Sequence, residues 1–126
     1  MKNKALFLDR DGVINIDKKY VFKKDDFSFI DGIFKLISMA KKLNYKIIII
    51  TNQSGIGRGF YTEKQFLEIN DWMLREFSDN SASVDGVYFC PTHPIEGLGK
   101  YKTTEDRRKP EPGMFFEASV DHSIDL

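Results

Sequence analysis

The stretch Leu6-Phe7-Leu8-Asp9-Arg10-Asp11-Gly12-Val13-Ile14-Asn15 constrains this chain more than any other. Its short apolar run reads as a buried parallel strand. The run stops at two aspartates spaced i, i+2. In α/β folds the carboxyl ends of the strands form the edge where ligands bind. Two carboxylates this close repel each other, and burying them unpartnered is costly. A divalent cation removes that cost, and oxygen ligands of this kind suit Mg²⁺.

The rest of the chain alternates strand and helix. Asn15 to Phe29 is polar, lysine-rich and punctuated by aromatics, an excursion over the strand end with room for a small hairpin. Asp31-Gly32 marks a turn, after which Ile33, Leu36, Ile37, Ala40 and Leu43 recur at helical spacing. Tyr45 to Ile50 reads as a second strand covered on both faces. Thr62 with Gln65 forms a capping box ahead of a helix carrying Phe66, Ile69, Met73 and Phe77. Val84 to Cys90 is a third strand, and a last helix starts near Pro112 and takes in Met114, Phe115, Ala118 and Ile124. This order predicts βαβ units around a mostly parallel sheet. Trp72 is expected to pack on the sheet from its helix.

At 126 residues the expectation is one domain spanning 1–126. Nineteen basic and nineteen acidic residues balance, so the basic excess of a nucleic-acid footprint is absent. The run Ile47 to Ile50 is too short for a bilayer. No apolar signal segment follows Met1-Lys2-Asn3-Lys4. The single cysteine, Cys90, has no internal partner for a disulfide, and cytoplasm is the expected compartment.

Three strand ends thus bring chemistry to one rim: Asp9 and Asp11, then Thr51 and Asn52, then Arg108 and Lys109 from the segment after the third strand. Carboxylates, a hydroxyl with neighbouring amides, and cations suit phosphoryl transfer. Asp9 is the expected nucleophile, Asp11 the acid and base. Thr51 is expected to bond a phosphoryl oxygen and Lys109 to offset developing charge. Mg²⁺ is expected at Asp9 and the Asp11 main-chain carbonyl. The glycines at 55, 57 and 59 follow the second strand, so they do not fit a dinucleotide fingerprint. They read as a tight loop whose amides line a phosphate site. Arg58 faces either a second phosphate or solvent. The aromatics from Tyr20 to Phe29 either shield the site or form a small satellite core.

The segments FLDRDGVIN, IIIITNQSGIGRG and RRKPEPGM, with CPTHP at 90–94, resemble the ordered motifs of haloacid-dehalogenase (HAD) phosphatases. The resemblance is to the D-glycero-D-manno-heptose 1,7-bisphosphate phosphatase group, with histidinol-phosphate phosphatases as near neighbours. It runs from Ala5 to about Leu126. It implies an α/β, three-layer α/β/α HAD-like (Rossmann-like) parallel sheet and a Mg²⁺-dependent phosphatase acting on a small phosphorylated sugar for surface-glycan synthesis. It places nucleophile and acid/base on Asp9 and Asp11, with Thr51, Asn52, Arg108 and Lys109 holding phosphate and substrate.

The sequence departs from that pattern twice. Many relatives carry a structural zinc site of Cys-x-His and Cys-x-Cys. Here Cys90 keeps one position while Thr92, Glu105 and Arg107 occupy the others, and His93 is one residue out of register. A closed zinc site is therefore not expected. The family's fourth motif, a strand ending in Gly-Asp, would follow Leu126, so the sheet is expected to be incomplete at the C-terminus. Asp121 and Asp125 do not follow an apolar strand and are not expected to replace it. The first strand would then be an unpaired edge and a route to a homo-oligomer, or the chain is a fragment of a longer parent, and this chain would turn over weakly or not at all. Two other readings remain at this point: a histidinol-phosphate phosphatase, and a non-catalytic remnant that serves only in assembly or partner binding.

Overall fold

The computed structural model describes residues 2–126. Three parallel strands, β1 (Lys4–Leu8), β2 (Tyr45–Asn52) and β3 (Gly86–Cys90), lie in the order β1-β2-β3. Leu6 pairs with Ile47, and Ile50 with Tyr88. The helices are α1 (Ile33–Lys42), α2 (Ser54–Gly57), α3 (Glu63–Asp79) and α4 (Gly113–His122). No described helix is long and apolar enough to cross a membrane.

The isoleucine run of β2 explains the layering. Successive strand side chains point to opposite faces. Ile47 and Ile49 join Ile33 and Ile37 of α1 and Ile69, Met73 and Phe77 of α3. Ile48 and Ile50 join Met114 and Ala118 of α4. Helices therefore cover both faces, giving the expected three layers. All four isoleucines are at most 1% exposed, and each such burial contributes roughly 1.5–3 kcal/mol.

Local signals set the helix ends. Thr62 Oγ1 accepts from Gln65 N at 3.1 Å, and Gln65 Oε1 accepts from Thr62 N at 2.9 Å. Two otherwise orphaned amides at the start of α3 are thereby satisfied. Asn44, with φ +65°, turns the chain from α1 into β2, a left-handed conformation asparagine tolerates.

Four local expectations change. The 15–29 excursion forms no hairpin. It has isolated bridges, Asp11 to Asn15 and Asn15 to Phe29, and one 3₁₀ turn at Lys24–Asp26. Its lysines supply no apolar alternation to hold a strand pair. Residues 54–57 form the short helix α2 rather than a loop. Trp72 packs edge-on against Phe27, ring centroids 5.4 Å apart, and beside Phe29. It therefore fastens the excursion onto the core cluster that holds Ile47 and Ile49 of the sheet, rather than packing on the sheet alone.

Ile124 lies beyond α4, which ends at left-handed Ser123. It is 2% exposed and bridges Asn3 in parallel. Asn3 N donates to Ser123 O at 2.7 Å, and Asp125 N donates to Asn3 O at 2.9 Å. Among the described residues no strand lies along the rest of that side of β1.

Candidate active site

The ends of β1 and β2 open into a cleft of about 610 Å³. Asp9, Asp11, Asn52, Gln53, Gly55 and Lys109 line it, with Tyr20, Arg58 and Tyr61 on the far wall. Asp9 follows directly on β1 and is 44% exposed at its side chain. Its Oδ1 accepts from Arg10 N at 2.8 Å, and its Oδ2 meets Lys109 Nζ at 2.7 Å. The lysine thus faces the first carboxylate.

Asn52 places that lysine. Its Nδ2 donates to Lys109 O at 3.1 Å, and its Oδ1 accepts from Lys109 N at 3.0 Å. A planar carboxamide bonded to both main-chain groups of one residue fixes position and orientation together. Asn52 is expected from sequence to hold phosphate; its carboxamide is instead taken up by the Lys109 main chain.

Asp11 is more enclosed. Its Oδ1 accepts from Arg10 Nη2 at 2.8 Å and from Asn15 Nδ2 at 3.0 Å, while Oδ2 accepts from Gln53 Nε2 at 3.2 Å. Arg10 is 2% exposed, between the rings of Phe27 and Phe66. It also donates to Val21 O at 2.8 Å. A buried charge needs such pairing. It ties the excursion to the second carboxylate.

Two expected ligand residues are placed differently. Thr51 is 1% exposed and off the cleft wall, and its Oγ1 accepts from Gln53 Nε2 at 2.9 Å. Strand alternation turns it inward. Arg108 Nη1 donates to Thr92 O at 3.0 Å, toward the 90–105 segment and away from the cleft. Arg58 stands on the wall, paired with Glu96 and lying over the rings of Tyr20 and Phe60. The excursion's aromatics divide between the two roles weighed: Tyr20 walls the cleft, whereas Phe27 and Phe29 join the core cluster.

Sequence reasoning missed Gln53, Tyr61 and Arg10. Gln53 is 2% exposed, and its Oε1 accepts from the Tyr61 hydroxyl. Burial is the main cause that pushes the Tyr61 phenol up to about 12, with nearby Arg10 opposing and Asp11 adding to the rise. A glutamine followed by Ser-Gly reads as turn chemistry; only its buried surroundings reveal another role. Gly55 is required here, because a Cβ would come within 2.3 Å of the Tyr61 ring.

The four positions aligned with a zinc site hold a hydrogen-bonded cluster. Cys90 Sγ lies 3.2 Å from Thr92 Oγ1 and 3.1 Å from Glu105 Oε1. Arg107 pairs with Glu105 at 3.7 Å and also with Glu117 of α4. Burial chiefly raises the Cys90 thiol above its ordinary value. Among the described residues no group of three or more His, Cys, Asp or Glu could hold a metal ion. Gly57 brings α2 against this segment: a Cβ there would lie 2.3 Å from Pro91 O.

The parallel sheet, the acidic end of β1 and the lysine facing it are those of a HAD-like phosphatase fold. The chain superposes on a HAD-like protein of Mesorhizobium loti with TM-score 0.92 and 33% identity, covering 98% of this chain and 59% of that one. The family model described as polynucleotide kinase 3 phosphatase matches residues 4–125, and the chain belongs to that family of phosphatases. It is 56% identical over its whole length to a D-glycero-alpha-D-manno-heptose-1,7-bisphosphate 7-phosphatase of Burkholderia mallei, and covers 67% of that protein. It matches a D,D-heptose 1,7-bisphosphate phosphatase of B. bronchiseptica, complexed with magnesium and phosphate, at TM-score 0.82 and 31% identity. There it covers 98% of this chain and 65% of that one. The chain thus spans about two thirds of the length of the relatives it matches.

Proposed function

We propose that this sequence hydrolyses a phosphomonoester of a small phosphorylated sugar, the 7-phosphate of D-glycero-D-manno-heptose 1,7-bisphosphate, through an aspartyl-phosphate on Asp9. The observation that carries the reading is Lys109 Nζ at 2.7 Å from Asp9 Oδ2, in a cleft shared with Asp11. The 56% identity to a heptose bisphosphatase supports that substrate.

Asp9 attacks phosphorus while Asp11 gives its proton to the leaving sugar oxygen. Water then attacks the phosphoryl group, Asp11 takes its proton, and Asp9 is released. Lys109 lies where charge grows on the phosphoryl oxygens. Thr51 supports this rim from beneath through Gln53. Arg108 holds the Thr92 carbonyl through Nη1 and keeps its other guanidinium donors for substrate. Asp9 and Asp11 offer oxygen donors on one cleft, which fits a hard cation. The Asp9 carboxylate and the Asp11 main-chain carbonyl would hold Mg²⁺, which supplies positive charge beside the transferred group. In this reading residues 1–126 belong to one HAD-like domain, and among the described residues the unpaired side of β1 offers an edge for a second copy.

Phosphate release from heptose 1,7-bisphosphate in the presence of Mg²⁺ tests the reading. The bisphosphate is expected to lose one phosphate, from position 7, and the Asp9→Asn variant none. Residues 1–126, which span about two thirds of the relatives' length, are expected to release it slowly; release from neither position by a chain of the relatives' full length overturns the assignment.

A further inference from the structure

The two oxygens of Asp11 are used unequally. Oδ1 takes Arg10 Nη2 at 2.8 Å and Asn15 Nδ2 at 3.0 Å, with Arg10 Nε at 3.3 Å. Arg10 is 2% exposed and Asn15 fully buried, so that oxygen faces the interior. Oδ2 takes a single donor, Gln53 Nε2, at 3.2 Å. Gln53 and Tyr61 both line the cleft.

The Gln53 amide has one permitted orientation. Its Nε2 protons go to Asp11 Oδ2 and to Thr51 Oγ1, and its Oε1 accepts from the Tyr61 hydroxyl. Turning the amide over would set its carbonyl oxygen against the carboxylate. Tyr61 is itself fixed, 5% exposed with its ring stacked on Phe22 at 5.0 Å.

We infer that Gln53, oriented by Tyr61, is a positioning residue that makes Oδ2 of Asp11 the proton-carrying oxygen and aims it at the leaving group. The inference rests on the phosphatase reading above and goes further by assigning the proton to one atom. With Oδ1 occupied by two strong donors, Oδ2 keeps the lone pair free to hold a proton. In the first step the bond from phosphorus to the sugar oxygen breaks as the bond from Asp9 to phosphorus forms. The Oδ2 proton passes to that oxygen, which leaves as a neutral alcohol. In the second step Oδ2 takes a proton from the attacking water as the bond from Asp9 to phosphorus breaks, and Asp11 is protonated again.

Leaving-group dependence separates positioning from general structural damage. A sugar alkoxide needs the proton, whereas p-nitrophenolate departs without it. The test is kcat/KM for heptose 1,7-bisphosphate and for p-nitrophenyl phosphate in the unsubstituted protein, Gln53→Leu and Tyr61→Phe. Gln53→Leu should lower the sugar value by about 100-fold, the scale of general acid catalysis, and the aryl value by less than about threefold. Tyr61→Phe keeps the ring packing and should lower the sugar value by roughly tenfold, again sparing the aryl ester. Equal losses on both substrates, or no loss in either variant, overturn the inference while the phosphatase reading stands. An unsubstituted protein of the relatives' full length that is inactive on both substrates removes both.

Discussion

The side chain of Asn52 grips the main chain of Lys109, accepting from its N–H at 3.0 Å and donating to its C=O at 3.1 Å. The two residues are 57 positions apart. The end of β2 thereby aims a lysine carried on an irregular segment at the carboxylate that ends β1.

Removing that grip should cost rate more than stability. Asn52→Ala frees the Lys109 main chain, and a misplacement of about 1 Å in such a site is worth about 100-fold. Asn52→Asp keeps the acceptor but sets a carboxylate oxygen against the Lys109 carbonyl, so it should lose at least as much as Asn52→Ala. Lys109→Ala should lose about 100- to 1,000-fold, the scale of one stabilising charge or donor. Because both residues act through one ammonium group, the double variant should be little worse than Lys109→Ala. Steady-state kinetics on the four proteins checks this, and simple multiplication of the two losses would contradict it.

Stability should fall at alkaline pH. Tyr61 moves from an ordinary value of 10.0 to about 12 in the folded chain, mainly through burial. A raised acid favours folding while it keeps its proton in both states. That contribution is complete below pH 10, where unfolded tyrosine is still neutral, and is lost as pH rises toward 12. Denaturant midpoints measured across this range should decline, and the decline should be shallower in Tyr61→Phe.

Cys90 should resist modification. It is fully buried, and burial raises its thiol, with Glu105 adding to the rise and Thr92 opposing it. The thiolate is the reactive form. Iodoacetamide at pH 8 should label the native chain far more slowly than the chain in denaturant, as mass spectrometry reads it. Equal rates would mean that the cluster around Thr92 and Glu105 is open.

The core beneath the site has its own test. Phe77 is fully buried, with Phe29 and Phe34 both packed edge-on to it at 5.4 and 5.2 Å. Phe77→Ala should destabilise by about 3–5 kcal/mol. Phe116→Ala, at a side chain 58% exposed on α4, should change stability by less than about 0.5 kcal/mol. Chemical denaturation of both variants measures the difference.

Much of this was legible because it is local. The apolar run before Asp9, the isoleucines of β2 and the box at Thr62 each state their structure within a few residues. The meeting of Asp9 with Lys109 followed from strand ends sharing one rim. Contacts set by tertiary packing were not legible. Thr51 turns inward and Arg108 turns to Thr92 because of partners far along the chain. Gln53 reaches Asp11 across 42 positions, and nothing beside it in sequence announces that. The short helix α2 was hidden because glycines at 55 and 57 read as loop, whereas they are there to admit Tyr61 and Pro91.

The central claim is that Asp9 becomes phosphorylated during turnover. Acid-quenching the protein during reaction with heptose 1,7-bisphosphate and Mg²⁺, followed by peptide mass spectrometry, reads it directly. The account predicts one phosphoryl group on the peptide containing Asp9, absent from Asp9→Asn and accumulating in Asp11→Asn if that variant is first loaded from p-nitrophenyl phosphate. Sugar phosphate consumed at full rate with no phosphoryl group trapped on Asp9, and with Asp9→Asn still active, would contradict it.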